Sequence, residues 1–390
     1  MTSTLAARNA VALVFFLNGL LFASWISRIP EARSALGLDN GQLGLLLLAI
    51  AAGSLLSMPT TGAAIERFGT VRMIRAAGGS SVLGLALVSV SLEVQQVWLA
   101  APGLFLYGIG TGVWDVGMNV EGALVEGQLR RTVMPRFHAA FSLGTVAGSA
   151  VGAAAVGLGV PTLWHLPLLA LLAVTILRRT TRDFLPDEPD EPGAQHTEKH
   201  SAWSAWREPR TLLIGLMVMA LALTEGTAND WLALALVDGY DVERWVGIAG
   251  FAVFVTAMTA GRMVGPVLLD RFGRVPVLWG TMVAAGGGVV LIVYGQHALL
   301  VVTGILLWGA GASLGFPVGM SAAGDDPRRA AARVSVVSTI GYAAFLAGPP
   351  LLGFVADHVG TLKALLLVAL VLVPSALVVP SARERATPED

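Results

Sequence analysis

Cysteine is absent from this chain of 390 residues, and only 13% of the residues are charged. Without cysteine the chain can form neither disulfides nor thiolate metal sites. Its formal net charge of −1 provides no basic field that would attract nucleic acid. The sequence also lacks the glycine-rich lysine loop that cradles nucleotide phosphates and the His-Glu-x-x-His zinc motif. These absences argue against a nucleotide-driven pump, a zinc hydrolase and a nucleic-acid-binding protein, and no cofactor or metal site is predicted.

Hydrophobic residues are abundant instead, at 55% of the chain, and the mean hydropathy is +0.72. A soluble domain of this size needs a polar skin and cannot bury so much apolar surface. The 46 glycines are typical of helical membrane proteins, in which small residues let helices approach closely. The first apolar run lacks a small-residue cleavage site, so we predict a membrane helix there rather than a signal peptide. The composition predicts an all-α protein of the inner (plasma) membrane.

Twelve apolar runs are long enough to cross a bilayer core, which requires about 20 residues of helix. They cover residues 9–27, 42–65, 73–91, 97–121, 137–158, 161–178, 211–236, 245–268, 276–294, 298–321, 334–356 and 362–380. Arginine and lysine concentrate in every second loop, which by the positive-inside rule places both termini in the cytoplasm. This alternation requires an even number of spans, so the charge pattern independently supports twelve.

A proline-rich, acidic stretch separates the sixth run from the seventh. Its composition and its lack of periodicity predict a flexible cytoplasmic linker over residues 179–210. The linker divides the chain into an N-terminal bundle of six helices, residues 1–178, and a C-terminal bundle of six helices, residues 211–380. Residues 381–390 are predicted to form a cytoplasmic tail.

Short sequence patterns recur in the two halves at equivalent places. Tyr107-Gly-Ile-Gly110 in the fourth run is matched by Trp308-Gly-Ala-Gly311 in the tenth, and Ser142-Leu-Gly144 in the fifth by Thr339-Ile-Gly341 in the eleventh. The repeats predict two pseudo-symmetric six-helix bundles. Parallel repeats of this kind are typical of transporters, whose solute site is expected between the halves near the membrane midplane.

The loops after the second and eighth runs carry a charged pattern, Gly-x-x-x-Asp-Arg-x-Gly-Arg, in two variants. Its residues are Gly62, Glu66, Arg67 and Gly69 in the first copy, and Asp270, Arg271, Gly273 and Arg274 in the second. The pattern is the signature of the major facilitator superfamily, which the chain resembles over nearly its whole length. Thr70 stands where the first copy would end in Arg, and Pro266 where the second would begin with Gly. The resemblance implies a latch that stabilises one conformation; a plain positive-inside anchor is the alternative.

The fourth and fifth runs resemble the fucose-permease-like branch of that superfamily. An acid is followed four residues later by Asn, at Asp115 and Asn119, and the fifth run contains Ser142-Leu-Gly144. The resemblance implies that Asp115 takes part in solute binding or proton coupling. Fucose permease also has an acid in its first helix, where this chain has Asn18, so sugar specificity is not implied. The helix 4 Arg and helix 5 Gly-Pro of drug antiporters are missing, which argues against drug efflux.

Ionisable side chains inside predicted spans are candidates for function, because each costs about 2.5–3.5 kcal/mol to insert at a helix centre. Asp115 and Asn119 lie one helical turn apart in the fourth run, and Glu225 and Asn229 have the same spacing in the seventh. Asp115 and Glu225 are the two predicted proton carriers. The alternative for each acid is a structural role in helix packing.

Three further charged or titratable side chains fall in or near the spans. His138 opens the fifth run and either relays protons to Asp115 or hydrogen-bonds a neighbouring helix. Arg262, in the eighth run, needs an acidic partner or an anionic ligand unless it snorkels to the membrane surface. Asp115 and Glu225 are both possible partners. Asp230 is predicted to be a gate contact or an interfacial charge.

Together these features predict a membrane transporter rather than an enzyme. The leading hypothesis is a secondary active transporter that moves a small polar solute, such as a sugar or related metabolite, by alternating access with proton symport. One alternative is a proton/solute antiporter that exports a drug or metabolite. Another is a non-transporting receptor or scaffold that retains the fold. The predicted partners are the solute, protons and the lipid bilayer, and the chain is predicted to act as a monomer.

Overall fold

The computed structural model describes residues 3–186 and 202–384, and within these ranges the ordered elements are all helical. Twelve helical stretches in this part of the chain are long and apolar enough to cross a membrane, which confirms the predicted number of spans. They are Thr4–Ala35, Gln42–Phe68, Thr70–Glu93, Val97–Leu129, Met134–Gly157, Thr162–Asp183, Pro209–Tyr240, Trp245–Phe272, Arg274–Tyr294, Ala298–Ala323, Pro327–Val359 and Thr361–Ala382.

The chain divides into two compact units. The first comprises Met1–Leu129, Phe137–Ala205 and Asp326–Ser335. Its helices are α1 (Thr4–Ile26), α2 (Ile29–Ala35), α3 (Asn40–Phe68), α4 (Thr70–Glu93), α5 (Val97–Leu129), α6 (Met134–Gly157) and α7 (Thr162–Thr180). The segment Asp326–Ser335 comes from the second half of the sequence and consists of a 3₁₀ turn, Pro327–Arg329, and the first residues of the helix Ala330–Val359, whose remainder belongs to the second unit.

The second unit comprises Arg130–Arg136, Trp206–Asp325 and Val336–Asp390. Its helices are α8 (Pro209–Thr227), α9 (Ala233–Tyr240), α10 (Arg244–Phe272), α11 (Arg274–Tyr294), α12 (Ala298–Ala312), α13 (Gly315–Ala323), α14 (Ala330–Val359), α15 (Thr361–Ala364) and α16 (Leu366–Val378). A π-helical turn, Ala228–Leu232, joins α8 to α9. The seventh and tenth spans are therefore each built from more than one helical piece.

The predicted linker is ordered at both ends. On the N-terminal side a 3₁₀ turn, Thr181–Asp183, follows α7, and the Phe184 ring after it is buried. On the C-terminal side Ala202–Arg207 forms a 3₁₀ helix with Ala205 buried. Buried apolar side chains therefore anchor both flanks of the linker predicted over residues 179–210. Residues 187–201 lie outside the described residues. Residues 385–390 of the predicted tail lie outside them as well.

Each copy of the charged pattern ends its helix at a glycine with positive φ. Gly69 has φ +83° and ψ 151° after α3, and Gly273 has φ +76° and ψ 168° after α10. The N–H of Gly69 donates to the Ile65 carbonyl and that of Gly273 to the Leu269 carbonyl, both at 2.8 Å. This region of backbone space is essentially restricted to glycine. The glycine of the pattern therefore sets the sharp reversal between two consecutive spans.

Substituting alanine at Gly69 or Gly273 is expected to lower the free energy of unfolding by roughly 1–3 kcal/mol, because alanine is strained at these dihedral angles. Gly79→Ala in α4 and Gly280→Ala in α11 are matched controls. A Cβ at either position meets open space, so these helical substitutions should be neutral or mildly stabilising. Thermal unfolding in detergent measures all four variants. Equal effects at the turn and control positions would contradict the backbone argument.

Candidate functional site

A buried polar cluster in the first unit joins α5 to α6. Asp115, Asn119 and His138 are all buried. The Asn119 Nδ2 donates to the Asp115 carbonyl oxygen at 2.9 Å, which turns the Asn119 Oδ1 toward the His138 Nε2, 3.1 Å away. Because an amide oxygen only accepts, the His138 Nε2 carries a proton in this arrangement. The structure thus brings together three of the predicted residues.

The helices α1 and α6 pack in close backbone contact beside this cluster. A Cβ on Gly19 would lie 2.2 Å from the Phe141 carbonyl oxygen, and one on Gly144 would lie 2.1 Å from that of Phe16. Only glycine permits such backbone contact between membrane helices. On α1, the Asn18 side chain is buried and its Nδ2 donates to the Met118 Sδ at 3.6 Å. Asn18 therefore adjoins α5 one residue before Asn119.

The second unit contains an ion pair inside the membrane-spanning helices. The Arg262 Nη2 on α10 lies 3.0 Å from the Glu225 Oε2 on α8. The Arg262 side chain is 5% exposed and that of Glu225 is 19% exposed. Of the two acids that the sequence left open as partners of Arg262, the structure places Glu225 beside it.

A break in the tenth span supplies a second acceptor for Arg262. Pro317 has no N–H, so it cannot hydrogen-bond the Ser313 carbonyl four residues earlier, and its ring crowds that carbonyl. The α-helix accordingly stops at Ala312 and resumes at Gly315. The Arg262 Nε donates to the freed Ser313 carbonyl oxygen at 3.4 Å. The proline therefore creates part of the arginine's polar environment.

A π-helical turn begins between Glu225 and Asn229, the two residues predicted to share a helix face. The helix α8 ends at Thr227, and the turn starts at Ala228. Asn229 and Asp230 fall in the turn and are exposed, whereas Glu225 lies before it and is largely buried. Of these three residues, Glu225 is the one that belongs to the ion pair.

The second copy of the charged pattern is linked to an acid that the sequence did not single out. Asp325, in the turn after α13, lies 2.7 Å from both Arg274 and Arg210. Arg274 also donates to the Ser321 hydroxyl at 2.8 Å. Nearby, the Asp270 Oδ1 accepts from the Thr132 N–H at 3.1 Å. Asp325 was overlooked because it lies next to Asp326 in a loop after the span, where an acid usually faces solvent.

The first copy is built differently. A Cβ on Gly62 would lie 2.7 Å from the Ala331 carbonyl oxygen, so the helix backbone there contacts the segment Asp326–Ser335 directly. Arg329, in the same segment, acts electrostatically on Glu66. Thr70, at the position of Arg274, is buried at the start of α4.

In both copies the arginine after the acid stacks on the next residue's ring. The guanidinium carbon of Arg67 lies 5.1 Å from the centroid of Phe68, and that of Arg271 lies 5.2 Å from the centroid of Phe272. The copies therefore share their glycine turn and cation–π contact, and differ at the position of Thr70 and Arg274.

Another buried arginine, Arg28, directly follows the first predicted span, residues 9–27. Its Nε donates to the His165 Nδ1 at 3.1 Å and its Nη2 to the Val160 carbonyl oxygen at 2.8 Å, while Nη1 pairs with Glu31 at 2.5 Å. No motif identifies this cluster, because its members lie far apart in the sequence. It joins the ends of the first and sixth spans.

Comparisons with known proteins agree with this architecture. A family model described as Major Facilitator Superfamily matches residues 11–349 and 246–390. An uncharacterised MFS-type transporter of Yersinia pestis is 31% identical over 346 residues, which cover 88% of each chain. The 2-nitroimidazole transporter of Escherichia coli is 26% identical and covers 92% of each chain. Among solved structures, the fucose:proton symporter of Escherichia coli aligns with a TM-score of 0.80 at 16% identity, covering 98% of this chain and 100% of that one.

Proposed function

We propose that this chain, which belongs to the major facilitator superfamily, is a secondary active transporter that couples movement of a small polar solute to protons. Membership confirms the predicted family, and the solved structures confirm the predicted fold of two six-helix bundles. The protein is a multi-pass membrane transporter and not an enzyme. Proton symport, alternating access, the inner-membrane location, cytoplasmic termini and monomeric state belong to the proposal.

The membrane-embedded pair of Glu225 and Arg262 carries this proposal. Both charges lie in spans, where an unpaired ion is costly. Protonation of Glu225 would remove the counter-ion of Arg262, so the free energy of the site depends on whether a proton is bound. A solute that binds the protonated form better ties its own transport to the proton gradient by linkage. The partial exposure of Glu225 gives the proton a route to its carboxylate.

The cluster of Asp115, Asn119 and His138 is the second place where a proton can be held. His138 donates to Asn119, whose amide nitrogen donates to the backbone of Asp115. In this proposal, His138 relays protons toward Asp115. The structural alternative is that the same bonds only fasten α5 to α6. Comparing Asp115→Asn with Glu225→Gln distinguishes which acid carries the coupled proton.

The charged pattern is proposed to act as a latch at one end of the transporter. Arg274 and Arg210 share Asp325, and Asp270 holds the backbone of Thr132. These bonds join segments that are distant in sequence. Breaking them during the transport cycle would release one conformation in favour of another. Charge-assisted hydrogen bonds of this kind are individually strong and directional.

Asp325→Asn is expected to lower the free energy of unfolding by about 1.5–3 kcal/mol, because it weakens hydrogen bonds to two arginines. The adjacent Asp326→Asn is the matched control. Asp326 is more exposed and lies 3.3 Å from Arg333, so its loss should change stability by at most about 1 kcal/mol. Thermal unfolding in detergent measures both. Equal losses would show that Asp325 has no special role in holding the latch.

Antiport is the second candidate, because a relative 26% identical is named as a 2-nitroimidazole transporter. In antiport the solute and the proton would compete for one site, so solute added outside would drive protons in the opposite direction. A non-transporting receptor with this fold would tolerate loss of both acids.

Reconstitution into proteoliposomes with an internal pH dye tests the proposal. A panel of sugars, organic acids and small heterocycles is added outside, and protein-free liposomes are the control. Acidification of the interior by one solute class supports symport, and alkalinisation supports antiport. Absence of both proton movement and labelled-solute exchange across the panel would contradict the transport proposal.

A further inference from the structure

The surroundings of Arg262 indicate what kind of solute the ion pair serves. Its guanidinium contacts a carboxylate from Glu225 and a carbonyl from Ser313, and both are acceptors. The arginine is the more deeply buried partner, whereas Glu225 is partly accessible. An exchange of counter-ions is therefore easier on the Glu225 side of the guanidinium than on the helix-break side.

We propose that the transported solute is a small organic carboxylate that replaces Glu225 as the counter-ion of Arg262 when Glu225 is protonated. This inference rests on the proposed function and names its substrate class. A proton moves from water to the Glu225 carboxylate, and the carboxylate of the solute takes over the contact with the guanidinium. No covalent bond changes.

Charge balance favours an anion over a neutral solute. With Glu225 protonated and a neutral solute bound, the Arg262 charge would stay within the spans without the carboxylate that now pairs with it, which a low-dielectric setting disfavours. With a monocarboxylate bound, the site returns to net neutrality. Planar bidentate recognition of carboxylates is also what a guanidinium does best.

The charged residues of the helices around the pair lie at helix ends. The helices α12, α13 and α16, which pack against α8 or α10, contain no charged residue. The helix α11, which also packs against α10, has Arg274 as its first residue. The helix α14, which meets α8 through Phe345, has Arg333 near its start and Asp357 and His358 near its end. The π-helical turn and α9 contribute Asp230 and Asp238, both C-terminal to the end of α8. Thr227, at that end, is buried and its Oγ1 has no hydrogen-bond partner among the described residues.

Three aromatic side chains, Phe316, Tyr342 and Phe345, form a wall that reaches α8 at Gly226, the residue after Glu225. A Cβ on Gly226 would lie 3.2 Å from the Phe345 ring, which stacks edge-on with Tyr342 at 5.7 Å. Tyr342 in turn meets Phe316 at 6.0 Å. Phe345 is substantially exposed, whereas Trp25, Tyr107, Trp114 and Trp308 are fully buried. The wall favours a solute with a planar, apolar body beside its carboxylate.

The test uses benzoate and benzamide, which share a ring and differ in charge, with acetate and acetamide as ringless counterparts. Thermal stability is measured at constant ionic strength with chloride as the balancing anion. The proteins are wild type, Glu225→Gln, Arg262→Gln and Asp230→Asn. Asp230→Asn removes a carboxylate from the same span without touching the pair.

Glu225→Gln should be stabilised by benzoate with a half-saturating concentration at least about tenfold below that of wild type, because its internal competitor is gone. Asp230→Asn should match wild type, and Arg262→Gln should not respond. Benzamide should be inert throughout. If benzoate stabilises Glu225→Gln no more than chloride does, or if benzamide acts equally, the carboxylate inference is overturned.

The same proteins in pH-dye proteoliposomes distinguish this inference from the proposed function. If benzoate binding depends on Arg262 but no proton flux or solute exchange occurs, the anion site is supported and proton-coupled transport is refuted. If only neutral solutes drive proton flux, proton-coupled transport is supported and the carboxylate is refuted as the substrate class.

Discussion

Replacing Glu225 by Gln is expected to abolish solute-driven proton movement while leaving exchange of labelled solute intact. Gln keeps the size and polarity of the side chain but carries no titrating proton. If proton and solute binding are linked through Glu225, solute affinity in wild type differs about 5- to 150-fold between the protonated and ionised forms. Glu225→Gln loses this difference. The pH-dye assay in proteoliposomes measures solute-driven proton movement, and counterflow of labelled solute measures solute exchange.

Two further variants make this result specific. Asp230→Asn removes the same charge from the same span at an exposed position and should retain proton flux. Asp115→Asn tests the buried acid of the first unit. If Asp115→Asn alone abolishes proton flux and Glu225→Gln retains it, the proton carrier is Asp115 and the role assigned to the ion pair is wrong.

Arg262→Gln is expected to lower the free energy of unfolding by about 3–5 kcal/mol, because it leaves Glu225 as a buried charge without its partner. Adding Glu225→Gln to the same protein should recover most of that loss, since the uncompensated charge is then removed as well. Buried ion pairs typically behave in this way: loss of one partner is severe, and loss of both is often tolerated. Thermal unfolding in detergent measures the single and double variants.

The recovered double variant should still fail to couple protons to solute. The double variant is therefore expected to regain stability without regaining proton coupling. If the ion pair were only structural, the double variant would regain both. Additive losses in the two single variants, without recovery in the double, would show that Glu225 and Arg262 do not interact energetically.

The overall fold was predictable because a bilayer imposes a strict requirement on length and polarity. Helices that cross it need about 20 apolar residues, so twelve spans are visible in the hydropathy alone. The charged pattern was equally visible in the sequence, and its glycines end α3 and α10 in a conformation that other residues avoid. The twelve spans are confirmed, and the role of the pattern stays a prediction.

The site was less predictable because its geometry depends on helix irregularities. The π-helical turn at Ala228–Leu232, which begins between Glu225 and Asn229, has no clear sequence signal. Pro317 signals a break in the tenth span, but not that Arg262 contacts the carbonyl released by it. Asp325 and the cluster around Arg28 arise from tertiary contacts between distant segments. Sequence alone identified the charged residues in the spans and left their pairing open.

The pH dependence of the transporter's affinity for its solute tests whether Glu225 links solute binding to proton binding. Wild type and Glu225→Gln are compared, with binding followed by thermal stabilisation or by labelled-solute competition. If protonated Glu225 and bound solute favour each other, the dissociation constant of wild type rises with pH, and that of Glu225→Gln stays flat at the low value. A dissociation constant that responds to pH identically in both proteins would show that Glu225 does not link the proton to the solute.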